Sequence, residues 1–164
     1  ADWEENRPYR LAGRTAEEWA KMPTYYIMDL NMGMAETVDL QKPSPSQVTA
    51  NTWLTEKELA VYTEEFGRTG FQGGLNSYRM GASGIGAAES QIYAGKTIDQ
   101  PSMFISGASD WGTYQNPGSF ERMQASACTD LRSVHLVEGA GHWVQQEQAE
   151  ATSQLLLEFL RNLS

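Results

Sequence analysis

Apolar residues recur along the chain at two spacings, and the change falls near residue 100. Before it the spacing is helical. Thr15 and Glu18 stand in the S/T-x-x-E arrangement of a capping box, with Trp19 just inside the helix it opens. Thr55 and Glu58 repeat that arrangement ahead of Leu59, Tyr62 and Phe66, an i, i+3, i+7 stripe. Between them, Pro23-Thr24-Tyr25-Tyr26-Ile27-Met28-Asp29-Leu30 runs into Asn31-Met32-Gly33-Met34-Ala35-Glu36, a predicted turn into a short helix. Pro43 and Pro45 interrupt the pattern, which predicts a connection over residues 41–52. Gly70, Gly73 and Gly74 predict sharp bends before Leu75-Asn76-Ser77-Tyr78-Arg79. The glycine-rich stretch Gly81 to Gly86 follows no strand, so it reads as a helix junction rather than a phosphate cradle.

After Pro101 short apolar runs alternate with helical stretches. Met103-Phe104-Ile105-Ser106-Gly107 predicts a buried strand that ends in small residues. Asn116-Pro117 offers a cap and a first-turn proline for a helix through Phe120, Met123 and Ala127. Val134-His135-Leu136-Val137-Glu138 predicts a second strand. From Gln145 onward a final helix carries Leu156, Phe159, Leu160 and Leu163 on one stripe. Strand, helix, strand, helix is a βαβα unit of a parallel sheet, which makes the fold class α/β. Two parallel strands cannot cover both faces and satisfy their edges alone, so further strands are expected from sequence outside this chain. The expected division is a helical region over 1–100 and a sheet-forming region over 101–164.

Composition narrows the partners. The 164 residues are 40% hydrophobic, with seven Tyr, five Trp and five Phe, enough for a packed core. A net charge of −9 argues against nucleic acid or an anionic membrane surface as partner. No run of 18 apolar residues is present, and the opening Ala1-Asp2-Trp3-Glu4-Glu5-Asn6-Arg7 lacks the basic and apolar regions of a signal peptide. The expectation is a cytoplasmic protein. A single cysteine, Cys128, excludes an internal disulfide and is expected to be buried filler. With two histidines, no metal cluster is expected, and no cofactor.

In open parallel sheets, catalytic groups sit beyond the carboxyl ends of the strands. Asp110 follows the first predicted strand and His142 the second, each in a glycine-flanked loop. Adjacent parallel strands would set the two loops side by side. An aspartate accepting from one ring nitrogen would orient the histidine and leave the other nitrogen to act as base. Taken singly, Asp110 could be a turn former or helix cap, and His142 a structural residue. His135 lies within its strand and is expected to pack or face solvent.

These segments resemble the closing part of α/β-hydrolases. Gly107-Ala108-Ser109-Asp110-Trp111 matches the acid loop, and Gly139-Ala140-Gly141-His142-Trp143-Val144-Gln145-Gln146-Glu147 the histidine loop. Trp53-Leu54-Thr55-Glu56, Thr69-Gly70-Phe71-Gln72-Gly73-Gly74-Leu75-Asn76-Ser77-Tyr78-Arg79, and Tyr25-Tyr26-Ile27-Met28 with Gly33-Met34-Ala35-Glu36 resemble the cap of the epoxide hydrolases. The resemblance implies that residues 1–100 are the cap, and that an apolar small molecule is the substrate. It implies that a core aspartate attacks an epoxide carbon while two cap tyrosines hold the ring oxygen. By position these are Tyr78 and Tyr25, with Tyr26 one residue away, and His142 is the base with Asp110 its orienting acid.

Ser77 stands where the family usually places tryptophan, and Met80 where asparagine is common. Neither a His-Asp-x-Gly nor a Gly-x-Ser-x-Gly elbow occurs in the chain. The nucleophile is therefore expected from an N-terminal half, as a second chain or a missing segment, and this chain alone is expected to be inactive. A haloacid or haloalkane dehalogenase shares the aspartate, histidine and acid. A serine esterase, or a non-catalytic binding protein on the same fold, also remains open.

Overall fold

A computed structural model describes residues 7–163, without the side chains of residues 82 and 90. The opening residues 1–6 lie outside it. Two units separate: one runs up to Trp53 and resumes at Thr97, and the other is Leu54–Lys96. The grouping differs from a split at residue 100. Leu11 and Met22, early in the chain, form a buried cluster with Trp111, against which Tyr26 and Ile27 pack. Burying these apolar surfaces together joins the early segment to the sheet-forming region.

The first unit opens with α1 (Ala16–Trp19), capped by Thr15, whose side chain accepts from the Glu18 amide. The capping box expected there is only half formed, because the Glu18 carboxylate is engaged by the Ala12 amide at 2.7 Å and by Lys21. Then come α2 (Met34–Gln41) and α3 (Pro45–Ala50). The connection expected over residues 41–52 thus contains a helix. Ser44 and Gln47 cap each other's amides and Pro45 occupies the first turn, where its missing N–H is no loss.

β1 (Ser102–Gly107) and β2 (Leu131–Val137) pair in parallel, from Met103 opposite Ser133 to Gly107 opposite Val137. An isolated bridge between Ile98 and the half-buried Cys128 extends the pairing upstream. This is the parallel α/β arrangement expected, with two strands among the described residues. Between the strands, α7 (Ser119–Arg122) continues as a π-helical turn over Met123–Ala127. Asn116-Pro117 does not open that helix. The Asn116 carbonyl instead accepts from Ser119 across a turn, and Gly118 is the cap. After β2, α8 (Val144–Glu147) and α9 (Ala149–Arg161) replace one continuous helix. The break at Gln148 lets its side-chain amide donate to the Gly139 carbonyl at 3.3 Å.

The second unit holds α4 (Glu56–Thr69), α5 (Gln72–Ser83) and α6 (Ala87–Ser90). The Thr55–Glu58 capping box opens α4 as expected, although Leu59, Tyr62 and Phe66 remain exposed. The three glycines expected to bend the chain divide their roles. Gly70 makes the turn at φ 66° and ψ −177°, and there Phe66 and Phe71 stack at 4.7 Å. Gly73 and Gly74 lie inside α5. The Gly81–Gly86 stretch is a helix junction, with Gly84 closing α5 and Gly86 opening α6. No helix of the described residues is long and apolar enough to cross a membrane.

A Cβ added at Gly70 or Gly73 would meet no neighbour within 4 Å, so substitution there tests backbone alone. Gly70→Ala is expected to destabilise by about 1–3 kcal/mol, since its backbone region is nearly glycine-only. Gly73→Ala, in the first turn of α5, is expected to stabilise by about 0.4–1 kcal/mol by restricting the unfolded chain. Urea denaturation of the two variants beside the parent distinguishes these opposite signs.

Candidate active site

Asp110 and His142 meet at the carboxyl end of the two strands. The pairing of β1 with β2 brings their following loops together, and the Ser109 amide donates to the Ala140 carbonyl at 3.0 Å. A Cβ on Gly107 would lie 2.2 Å from the Gly141 carbonyl oxygen and 2.3 Å from that of Ala140. Only glycine at that strand end allows the histidine loop to lie so close. Asp110 Oδ1 then stands 3.3 Å from His142 Nδ1. An ionised carboxylate only accepts, so Nδ1 carries the hydrogen and Nε2 is left as the basic nitrogen. The Asp110 side chain is largely buried, whereas His142 is exposed.

Asp110 is also a cap. Its Oδ1 accepts from the Gly112 amide at 2.8 Å and closes the tight turn Trp111–Thr113. The same oxygen accepts from the Tyr26 hydroxyl. Its other oxygen, Oδ2, lies 3.1 Å from the Ser106 hydroxyl, which is 2.9 Å from that of Thr113. Burial acts to raise the Asp110 pKa. The Tyr26 and Gly112 hydrogen bonds, followed by the charge and hydrogen bond of His142, outweigh it and hold the carboxyl below its ordinary range. Burial, and then the bond to Asp110, pushes the Tyr26 phenol strongly upward, so it stays protonated and able to donate.

A second carboxylate braces the histidine loop. Glu147 Oε2 accepts from the Gly141 amide and Oε1 from the Trp143 amide, both at 3.0 Å, so its two oxygens grip the backbone on either side of His142. The sequence signal for this is an acid in the first turn of the helix after the loop, a common partner for otherwise unbonded amides. Ser106, Thr113 and Glu147 received no role from the sequence.

The two adjacent tyrosines differ. Tyr26 packs against the Leu11–Met22–Trp111 cluster, and its ring lies edge-on to His142 at 6.3 Å. A turn at Pro23, whose carbonyl accepts from the Tyr26 amide at 2.9 Å, sets its direction. Tyr25 contacts the Tyr26 ring at 5.0 Å and is 62% exposed, and the partial burial that remains, followed by the Asp110 charge, raises its pKa. Tyr78 lies on α5 of the other unit, with its side chain exposed. The neighbouring Arg79 donates to Gln72 at 2.7 Å and to Asn76 at 3.1 Å. His135 is half-buried within β2. It lines a groove of about 350 Å³ with Met103, Leu155 and Phe159 that none of the expected site residues line. Among the described residues, no three His, Cys, Asp or Glu side chains cluster to hold a metal ion.

No family model matches the chain. Its sequence is 37% identical over 131 residues to epoxide hydrolase B of Mycobacterium tuberculosis, covering 79% of this chain and 36% of that protein. It is 40% identical over 124 residues to epoxide hydrolase A of the same organism, covering 74% and 35%. Among solved structures, epoxide hydrolase A from Mycobacterium thermoresistibile matches with a TM-score of 0.60 at 40% identity, over 70% of this chain and 34% of that one. Potato (Solanum tuberosum) epoxide hydrolase I matches with a TM-score of 0.61 at 30% identity, over 73% and 37%. The chain spans about a third of the length of these relatives.

Gly107→Ala is expected to lower unfolding stability by about 1–3 kcal/mol through overpacking. It should also separate His142 from Asp110, seen as a changed His142 ring shift in NMR spectra. Because the Asp110 pKa is lower folded than unfolded, the stability it contributes is fully present above the unfolded value, about 3.9. That contribution fades as pH falls through the folded value. Asp110→Asn should remove this part of the acid dependence, measured as denaturation midpoints across pH 2–6, an interval of about four units around the carboxylate range.

Proposed function

With this chain epoxide-hydrolase-like and of the α/β-hydrolase fold, we propose that it supplies the base, its orienting acid and the oxygen-holding phenols for opening an epoxide to a vicinal diol. The observation that carries the reading is the Asp110 carboxylate, held at once against His142 Nδ1 and the Tyr26 hydroxyl. Residues outside this chain would supply the nucleophile, an aspartate, and complete the sheet. Residues 1–100 would then act as the cap, with an apolar epoxide as the substrate.

In the proposed reaction the aspartate oxygen bonds to an epoxide carbon and the carbon–oxygen bond breaks toward the ring oxygen. An alkoxide is a poor leaving group, and neutral phenols lower the barrier by donating to the oxygen as charge develops. One phenol transfers its proton, which leaves a hydroxyl on the substrate and an ester to the enzyme. His142 Nε2 then takes a proton from water, and the resulting hydroxide adds to the ester carbonyl. Collapse of that adduct, with the proton of its new hydroxyl passing to the departing alkoxide, releases the diol and restores the carboxylate, and the imidazolium proton returns through solvent to the phenolate. Asp110 stabilises the imidazolium formed in that step. The phenols are Tyr78 and one of the Tyr25–Tyr26 pair. The family position favours Tyr25 for the second place, since the one hydrogen of the Tyr26 hydroxyl is donated to Asp110.

The test uses the protein carrying the nucleophile, either as one longer polypeptide or by combining this chain with the missing segment. Diol formation is measured across a panel of aliphatic and aryl epoxides. His142→Gln is expected to cut turnover by about 100-fold or more and to leave an alkyl ester on the protein, visible as added mass. Tyr26→Phe and Tyr25→Phe, each compared with Tyr78→Phe, identify the second phenol. No diol from any epoxide, or unchanged hydrolysis by His142→Gln, would sink the reading. Halide release that survives Tyr78→Phe would point to a dehalogenase instead.

A further inference from the structure

Asp110 is gripped from both sides, and the second grip has no part in the reaction described above. Ser106, the penultimate residue of β1, is only 6% exposed, and its hydroxyl lies 3.1 Å from Asp110 Oδ2. Thr113 closes the turn that follows Asp110, and its hydroxyl is 2.9 Å from that of Ser106. Each hydroxyl has one hydrogen, and an ionised carboxylate has none to give. Ser106 therefore donates to Oδ2, which leaves Thr113 to donate to Ser106. Both hydrogens point the same way, toward the carboxylate, and each bond polarises the next.

We propose that Ser106 and Thr113 are positioning residues, a two-hydroxyl chain that fixes the Asp110 carboxylate so that Oδ1 faces His142. A carboxylate turns about a single soft torsion with a broad, two-fold profile. The Gly112 amide and Tyr26 hydroxyl bind Oδ1, so a donor on Oδ2 defines the plane that these bonds leave loose. Tyr26, Tyr25 and His142 are the titratable groups that face this carboxylate. The role rests on the reading of Asp110 and His142 as acid and base, whereas the hydrogen-bond chain can be measured without turnover.

The chain has two histidines, so ring NMR follows His142 with His135 as an internal control, while carboxyl-labelled aspartate reports Asp110. Ser106→Ala is expected to raise the Asp110 midpoint, because a hydrogen bond to the charged form is lost. The His142 ring signals should move in the same variant, with its carboxylate partner less well held, while those of His135 stay in place. Thr113→Val should shift the Asp110 midpoint and the His142 ring signals the same way by less, and Thr113→Ser, which keeps the hydroxyl, should match the parent. Combining Ser106→Ala with Thr113→Val should add nothing, because Thr113 acts through Ser106.

An unchanged Asp110 midpoint with unchanged His142 ring signals in folded Ser106→Ala would overturn the proposal, as would an equal change in the His135 signals. If Ser106→Ala does not fold, identical midpoints for Thr113→Val and Thr113→Ser overturn it. In the protein that carries the nucleophile, Ser106→Ala should lower kcat with KM unchanged. Absence of diol formation there would overturn the acid–base reading and leave the titrations standing.

Discussion

The carbonyls of Ala140 and Gly141 lie where a side chain on residue 107 would have its first carbon, 2.2–2.3 Å from an ideal Cβ. Everything proposed for Asp110 and His142 depends on that close approach. β1 ends at Gly107, the histidine loop settles over the end, and the Ser109 amide meets the Ala140 carbonyl. Register alone would bring the loops to the same end of the sheet. The missing methyl allows them to touch, and touching places an aspartate oxygen within reach of an imidazole nitrogen. Glu147 then braces the loop from the far side by accepting two of its amides.

The Asp110 carboxylate performs two tasks usually treated as alternatives. It caps the tight turn at Trp111–Thr113, and it faces His142. The first task supports the second, because the cap holds the side chain in one place before any histidine is considered. Burial alone would favour the neutral acid and weaken its attraction for an imidazolium. Donors from Tyr26, Gly112 and His142 reverse that balance and keep the group ionised. The Leu11, Met22 and Trp111 cluster supplies the dry wall, since Trp111, only 4% exposed, follows Asp110 directly in the chain. The same apolar contacts that bind the early segment to the sheet therefore also deliver Tyr26 to the carboxylate.

Where the pattern along the chain and the folded structure differ, the cause is usually a local competition. Pro43 and Pro45 read as breaks, yet Ser44-Pro45-Ser46-Gln47 is itself a helix start with its own capping box. Thr15 and Glu18 have the spacing for reciprocal caps, but the Ala12 amide and Lys21 take the glutamate. Gly73 and Gly74 read as bends, whereas Gly70, at positive φ, makes the turn and the helix runs through the other two. Each difference concerns which of several nearby groups captures a hydrogen bond or a dihedral, and spacing does not rank those.

The sequence by itself determined the strand–helix alternation after Pro101, the parallel pairing, and the two loops that carry Asp110 and His142. Those follow from hydrophobic period, glycine flanks and chain order, all local or nearly so. Only the tertiary structure decided which of Tyr25 and Tyr26 turns toward Asp110, and that Ser106, Thr113 and Glu147 hold the two loops in place. The tyrosines are neighbours with the same chemistry, and they are distinguished by which ring fits against Leu11, Met22 and Trp111. That fit joins residues far apart in the chain, so no window of sequence contains it.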